Sequence, residues 1–368
     1  MGFDELIGNR SAVRHLREAI ATGHVPHSLL LAGPRGVGKY TLALMLAQAI
    51  NCLNQPTTGD LPDFCGTCAN CVRIAQAHDL DARITEAIAA REELRETDKK
   101  ETRILVQTHP SVLVIPPDPP QLLIKLGQVR TLIREVYRKP AEARRSVFIF
   151  TSSAFMKEAA NSLLKVLEEP PEYALIVLLA ENTGELLPTI RSRTSLVRLG
   201  AVPPEQIEPL LASRRLDLKP IERKLVARLS EGAVGRALGF NLSAYFDSRK
   251  DALEILRYGL DPSDHSTLFR MTESYRAGAE GQQKTVGMIR AMRSLLEDLL
   301  LLHSGADSLV RNLDLTAELT KISQQINVEW IERAARGLNQ VETGMRRNLL
   351  RSVALDAYAT EMASPLNR

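Results

Sequence analysis

Eight consecutive residues, Gly33-Pro34-Arg35-Gly36-Val37-Gly38-Lys39-Tyr40, have the composition of a loop that cradles phosphate. Glycines let successive backbone N–H groups curl around phosphate oxygens, and the lysine reaches the outer phosphates. A helix opening at Lys39 adds the partial positive charge of its N-terminus. The next position should carry a Ser or Thr hydroxyl as a magnesium ligand, but here it is Tyr40. Thr41 follows one residue on, about 100° around the helix, and should point elsewhere. Gly33, Gly36, Gly38, Lys39 and Thr41 therefore read as a degenerate nucleotide-binding loop, with ATP held weakly if at all. Hydrolysis also needs carboxylates, one for the metal and one to orient the attacking water. The apolar run 147–150 is followed instead by Thr151-Ser152-Ser153, neutral hydroxyls that cannot act as a general base near pH 7. Glu158, Glu168 and Glu169 fall on the next helix, too far along the chain to substitute. No hydrolysis by this chain is expected.

The four cysteines, Cys52, Cys65, Cys68 and Cys71, are spaced C-x12-C-x2-C-x2-C just after that loop and its helix. In a reducing compartment such clustering favours a metal over disulfides. Four thiolates with no open position suit a closed, structural zinc site, and Gly66 eases the tight path between Cys65 and Cys68. Free thiols and an iron–sulfur cluster are the competing readings.

The elements that must position these groups alternate along the first two hundred residues. Apolar runs at 28–32, 112–115, 147–150 and 174–180 read as strands, and amphipathic stretches at 11–21, 39–50, 128–138 and 157–167 as helices. That alternation predicts an α/β domain with a parallel sheet and crossover helices. Pro170-Pro171 ends the last of these helices, since neither proline can continue it. The highly charged segment 78–108, with EAIAAREELRETDKKE at its centre, reads as a solvated surface helix or flexible insertion, or else a partner-docking element. From about 201, prolines 203, 204, 209 and 220 punctuate short helices, and beyond 245 the pattern is helical throughout. Met288, Ile289, Met292, Leu295, Leu296, Leu299 and Leu300 form a stripe too apolar for an exposed helix, buried within its own domain or against neighbouring subunits. The expected division is a body at 1–200, with the cysteine module at 52–71 and the insertion at 79–108, a helical lid at 201–243 and a helical domain at 244–368.

With 368 residues the chain can bury two or three cores. Its 47 basic against 44 acidic side chains do not imply a protein bound to nucleic acid along its whole length, and leave room for a local basic patch. No apolar run approaches the roughly 18 residues of a membrane span, and MGFDELIGNR has no signal-peptide pattern, so a cytoplasmic protein with no membrane contact is expected.

Together these residues resemble the bacterial DNA polymerase III clamp-loader family, of the AAA+ class, along nearly the whole chain. The resemblance is carried by FDELIG at 3–8, HVPHSLL at 24–30, the phosphate loop, the four cysteines, HPSVLVIP at 109–116 and, most specifically, ANSLLKVLEEPP at 160–171. LPTIRSRT at 187–194 is similar to the family's Ser-Arg-Cys motif with Thr194 in third place, and GAVGRAL at 232–238 to its sensor-2 segment. Asn348-Leu349-Leu350 and Ala354-Leu355-Asp356 look like the last helix of its collar. The resemblance implies a P-loop AAA+ domain with an inserted zinc module, a small helical lid and an all-α collar.

Within that family, motor subunits keep the magnesium hydroxyl and the acidic pair, while delta-prime subunits often lose them yet keep a serine-arginine that completes a neighbour's site. On this pattern the chain resembles the delta-prime type, an ATPase-deficient stator. Arg193 would be its arginine finger in trans, with Arg191 nearby as a competitor, and Arg236 its sensor-2 contact to nucleotide. Asn182 and Thr183 fall in the sensor-1 region. The implied partners are gamma/tau motor subunits and a delta subunit in a heteropentamer, and through it the sliding clamp and primer-template DNA. An active gamma/tau-type motor is the alternative, and a P-loop regulator unrelated to replication a third reading.

Overall fold

A computed structural model describes residues 2–262, 265–276, 278–346 and 350–364. The chain divides into two compact units, Met1–Ile207 with Glu231–Arg236, and Glu208–Ser230 with Ala237–Arg368.

In the first unit, α1 (Arg10–Ala21), β1 (Ser28–Ala32) and α2 (Lys39–Asn51) lead into the cysteine module. That module contains a short hairpin, β2 (Thr57–Thr58) and β3 (Leu61–Pro62), and the helix α3 (Ala69–Ala75). Then come α4 (Leu80–Glu92), α5 (Glu96–Glu101), β4 (Val106–His109), β5 (Val112–Ile115), α6 (Leu126–Val136) and β6 (Ser146–Phe150). The unit continues with α7 (Lys157–Glu168), β7 (Ala174–Ala180), α8 (Pro188–Arg191) and β8 (Ser195–Arg198).

The six-stranded sheet has the order β4-β5-β6-β7-β1-β8. All neighbours pair in parallel except β4, which runs antiparallel to β5 at one edge. Counted along the chain, the parallel strands stand in the order 5-1-4-3-2, which places β1 and its phosphate loop between β7 and the edge strand β8. Strands β1, β5, β6 and β7 are buried along their whole length, as strands covered on both faces must be. Alternate residues Leu30, Phe148, Phe150, Ile176 and Leu178 form one core with α6 and α7. On the opposite face α2 packs against β1 and β7 and also against α3. Covered from both sides, α2 is buried continuously from Leu42 to Asn51.

Besides the two-residue strands β2 and β3, two strands of the main sheet escape the sequence reading for a physical reason. β4 (VQTH) and β8 (SLVR) are the edge strands, each with exposed positions that break the apolar run. β4 supplies the end of the charged segment, while α4 and α5 make up its helical part and carry no fully buried residue among those described. Instead α4 turns a half-buried face, with Ile84, Ile88 and Arg91, and packs along β4.

The second unit is helical. Helix α9 (Pro204–Arg214) leads into it and α10 (Pro220–Leu229) follows; α11 (Val234–Leu238) starts within the stretch 231–236 that belongs to the first unit, and α12 (Leu242–Leu260), α13 (His265–Glu273) and α14 (Gly278–His303) continue the second. It ends with α15 (Thr316–Ser323), α16 (Val328–Arg346) and α17 (Arg351–Ala363). Met288, Ile289, Met292, Leu295, Leu296 and Leu299 of α14 lie in this unit's own core with Trp330, Leu338, Leu355, Tyr358 and Met362. Leu300 is exposed. A buried polar knot fixes the turn after α14: Asp298 accepts from the Asn312 amide groups at 2.8 Å, and Arg249 reaches Asn312 and Asp314. Asn348 and Leu349 lie outside the described residues, and Ala354–Asp356 falls within α17.

Candidate functional site

The phosphate loop links the end of β1 to the start of α2, as the glycine spacing predicts. At Gly33 a side chain is excluded by close approach, since a Cβ there would sit 2.2 Å from the Leu199 carbonyl oxygen. Gly36 has φ +82, a backbone conformation open to glycine, and its carbonyl accepts from the Gly235 N–H at 2.8 Å. The Lys39 ammonium folds over the loop and donates to the carbonyls of Gly33 and of Pro34, the latter at 2.9 Å. Burial lowers its pKa, and the Glu181 and Glu185 carboxylates work in the opposite direction.

Tyr40 does not replace the missing magnesium hydroxyl. Its phenol donates to the Ala77 carbonyl at 2.6 Å, beyond α3, and burial pushes its pKa up. Thr41, partly buried on the same helix, makes no side-chain hydrogen bond among the described residues. At the end of β6, Ser152 accepts from the Ala154 N–H at 3.1 Å and the Ser153 hydroxyl donates to Glu185. Glu181 and Glu185, which follow β7, are the carboxylates that the fold brings into electrostatic reach of Lys39. Sequence reasoning passed over them for Asn182 and Thr183, although they flank that pair. Asn182 spends its side-chain oxygen on the Gly184 N–H at 2.9 Å. Arg236 is paired with Glu231 at 2.6 Å.

The four cysteines converge. Their sulfurs all lie within 4.8 Å of one another, with Cys52 and Cys65 3.5 Å apart. Four thiolates each ~2.3 Å from a zinc ion form a tetrahedron with edges of roughly 3.8 Å, so the cluster needs only slight contraction to hold one. Backbone N–H groups already point at the sulfurs: Cys65 N–H donates to Cys52 Sγ and Cys68 N–H to Cys65 Sγ, each at 3.3 Å. Burial opposes the Cys65 thiolate, but N–H donors from Thr67 and Cys68 hold its pKa down to about 6. Burial pushes the Cys71 thiol up. The module is fastened from outside as well. Gln48 donates to the Cys71 carbonyl at 3.0 Å, and Asn70 donates to the carbonyls of Asn51 and Glu142 while its oxygen meets His109 at 3.1 Å. Such a donor set fits a structural metal, which would fix the loop from 52 to 71 and leave no position for a substrate.

Arg193 follows α8, which packs on α7 through the fully buried Ile190. Its guanidinium meets Glu168 at 2.7 Å and donates to the Thr189 carbonyl at 3.0 Å. Arg191 is exposed, and its side chain has no partner among the described residues.

A parallel sheet in this strand order, a glycine loop with its lysine at the tip of β1 between β7 and β8, and a helical second unit define an AAA+-like α/β body. Residues 8–203 match the family described as "DNA polymerase III, delta subunit", and the chain belongs to that family of DNA polymerase III clamp-loader subunits. Among curated relatives, it is 29% identical over 211 residues to DNA polymerase III subunit gamma/tau of Mycobacterium tuberculosis, covering 57% of this chain and 30% of that one. It is also 29% identical over 216 residues to DNA polymerase III subunit delta' of Bacillus subtilis, covering 58% of this chain and 54% of the other. The chain thus spans less than two thirds of the length of these relatives. A solved gamma subunit-related protein of Thermotoga maritima aligns with 96% of this chain and 98% of its own at 18% identity and a TM-score of 0.41.

Proposed function

We propose that this chain is a delta-prime type subunit: a stator that assembles with gamma/tau motor subunits and a delta subunit and supplies Arg193 to a neighbour's nucleotide site. In that role it helps a heteropentamer in the cytoplasm load the sliding clamp onto primer-template DNA. The observation that carries the reading is the end of β6, where Thr151-Ser152-Ser153 stands in place of carboxylates and Ser153 is engaged with Glu185. Without a metal-holding acid and a water-orienting acid at the end of β6, the phosphate loop lacks the usual route to hydrolysis. The tie between Tyr40 and Ala77 supports the same conclusion, because it commits the magnesium position to packing. Gly33, Gly36, Gly38, Lys39, Thr41 and Arg236 remain the residues for any weak nucleotide binding. Zinc held by Cys52, Cys65, Cys68 and Cys71 is structural. In this reading 1–200 is the body, 201–243 the lid and 244–368 the collar. Among the described residues no helix is long and apolar enough to cross a membrane.

An active gamma/tau-type motor is the second reading, favoured by the intact glycine loop with Lys39 and by the gamma/tau relative. Turnover by the isolated protein separates the two. A magnesium-dependent ATPase that disappears in Lys39→Ala establishes a motor, whereas a rate equal to that variant's, together with ring formation when partner subunits are added, establishes the stator.

A further inference from the structure

We propose that Glu168 is a positioning residue for the Arg193 guanidinium, holding the finger in a fixed rotamer for the neighbouring subunit's phosphate; the inference rests on the finger reading above. Two elements that already pack together bring the pair into contact. Glu168 is the last residue of α7, and Arg193 follows α8, whose Ile190 is buried in the core that α7 shares. On that rigid base the guanidinium is held at both ends of its fork, by Glu168 on Nη2 at 2.7 Å and by the Thr189 carbonyl on Nη1 at 3.0 Å.

The placement of Glu168 runs against the local rule. A carboxylate in the last turn of a helix faces the negative end of the macrodipole, where a lysine or arginine is favoured. Local conflicts of this kind concentrate at functional sites. Nor does the pair serve stability, since with side chains 35% and 49% exposed it contributes little to folding. A long arginine side chain otherwise samples many rotamers, and fixing it in advance removes that cost from the moment of phosphoryl transfer. Arg191, two residues away and without a side-chain partner among the described residues, lacks this support.

The test is DNA-stimulated ATPase of a complex reconstituted from gamma/tau-type motors, delta subunit and this chain. Arg193→Ala defines the part of the rate that depends on the finger. Glu168→Ala is expected to lower that part on the order of tenfold through kcat, with KM for ATP, melting temperature and ring assembly unchanged. Glu168→Gln, which keeps an acceptor oxygen at the same reach, restores most of it, and the double variant with Arg193→Ala is no slower than Arg193→Ala alone. A complex that loses rate with Arg193→Ala but not with Glu168→Ala overturns the positioning role alone. So does a Glu168→Gln complex faster than wild type, which would make the carboxylate a restraint. A rate unchanged by Arg193→Ala overturns the finger reading and, with it, this inference.

Discussion

The Tyr40 hydroxyl donates to the Ala77 carbonyl at 2.6 Å, tying the first turn of α2 to the turn that follows the cysteine module and α3. The residue that should serve magnesium is thus part of the scaffold. Tyr40→Phe should cost about 1 kcal/mol in a urea melt, the net value of one hydrogen bond. Tyr40→Thr restores a hydroxyl at the magnesium position but no carboxylate at Thr151 or Ser152. Its ATPase should therefore stay at the level of Lys39→Ala, and a gain of magnesium-dependent turnover would show that the lost hydroxyl alone silenced the site.

Metal content is the next test. Freshly purified protein should contain about one zinc per chain, and Cys68→Ser should release it. Because a structural metal contributes directly to folding, the same substitution or a strong chelator should lower the melting temperature by several degrees and expose the 52–71 loop to protease. Elemental analysis that finds no zinc, or finds iron with sulfide, would remove the assignment.

Action in trans is measured in the assembled complex. Arg193→Ala should leave zinc content, melting temperature and ring assembly near wild type, because an exposed ion pair contributes at most about 1 kcal/mol. Fingers in related phosphoryl-transfer enzymes contribute on the order of 10³–10⁵ at their own site. With several sites per ring, bulk ATPase should fall partly and clamp loading further. Arg193→Lys should recover little, since an ammonium lacks the planar fork that Glu168 and Thr189 hold.

A different arginine should govern stability. Arg91 of α4 reaches Asp118 at 2.7 Å, and the Asp118 side chain is fully buried, with Lys125 3.6 Å away. Removing Arg91 leaves a buried carboxylate supported by one distant ammonium, at a cost of about 2–4 kcal/mol. Arg14→Ala breaks the exposed pair with Glu18 and should change stability by less than about 0.5 kcal/mol. Equal urea midpoints for the two variants would show that Asp118 is not held by α4.

What could be read from the sequence was what is local or fully buried. β1, β5 and β7 lie where continuous apolar runs place them, because strands covered on both faces have no polar position to blur the signal. The glycine loop and the cysteine spacing are equally local. β4 and β8 were missed because an edge strand needs only one apolar position in contact with the sheet, such as Val197 in β8. The electrostatic reach of Glu181 and Glu185 to Lys39 depends on β7 lying next to β1, and Glu168 beside Arg193 depends on α7 packing against α8. Neither pairing leaves a mark on the spacing of the residues concerned.

The packing of α4 along β4 bears on how the chain behaves before it meets any partner. β4 is the outermost strand at its end of the sheet, and such a strand offers a row of backbone donors and acceptors to any extended chain that drifts against it. A helix packed along it, with charged residues on its outer face, works against the addition of a strand from a second copy. Removing α4 would uncover that edge, and with it a surface on which two copies could pair strand to strand.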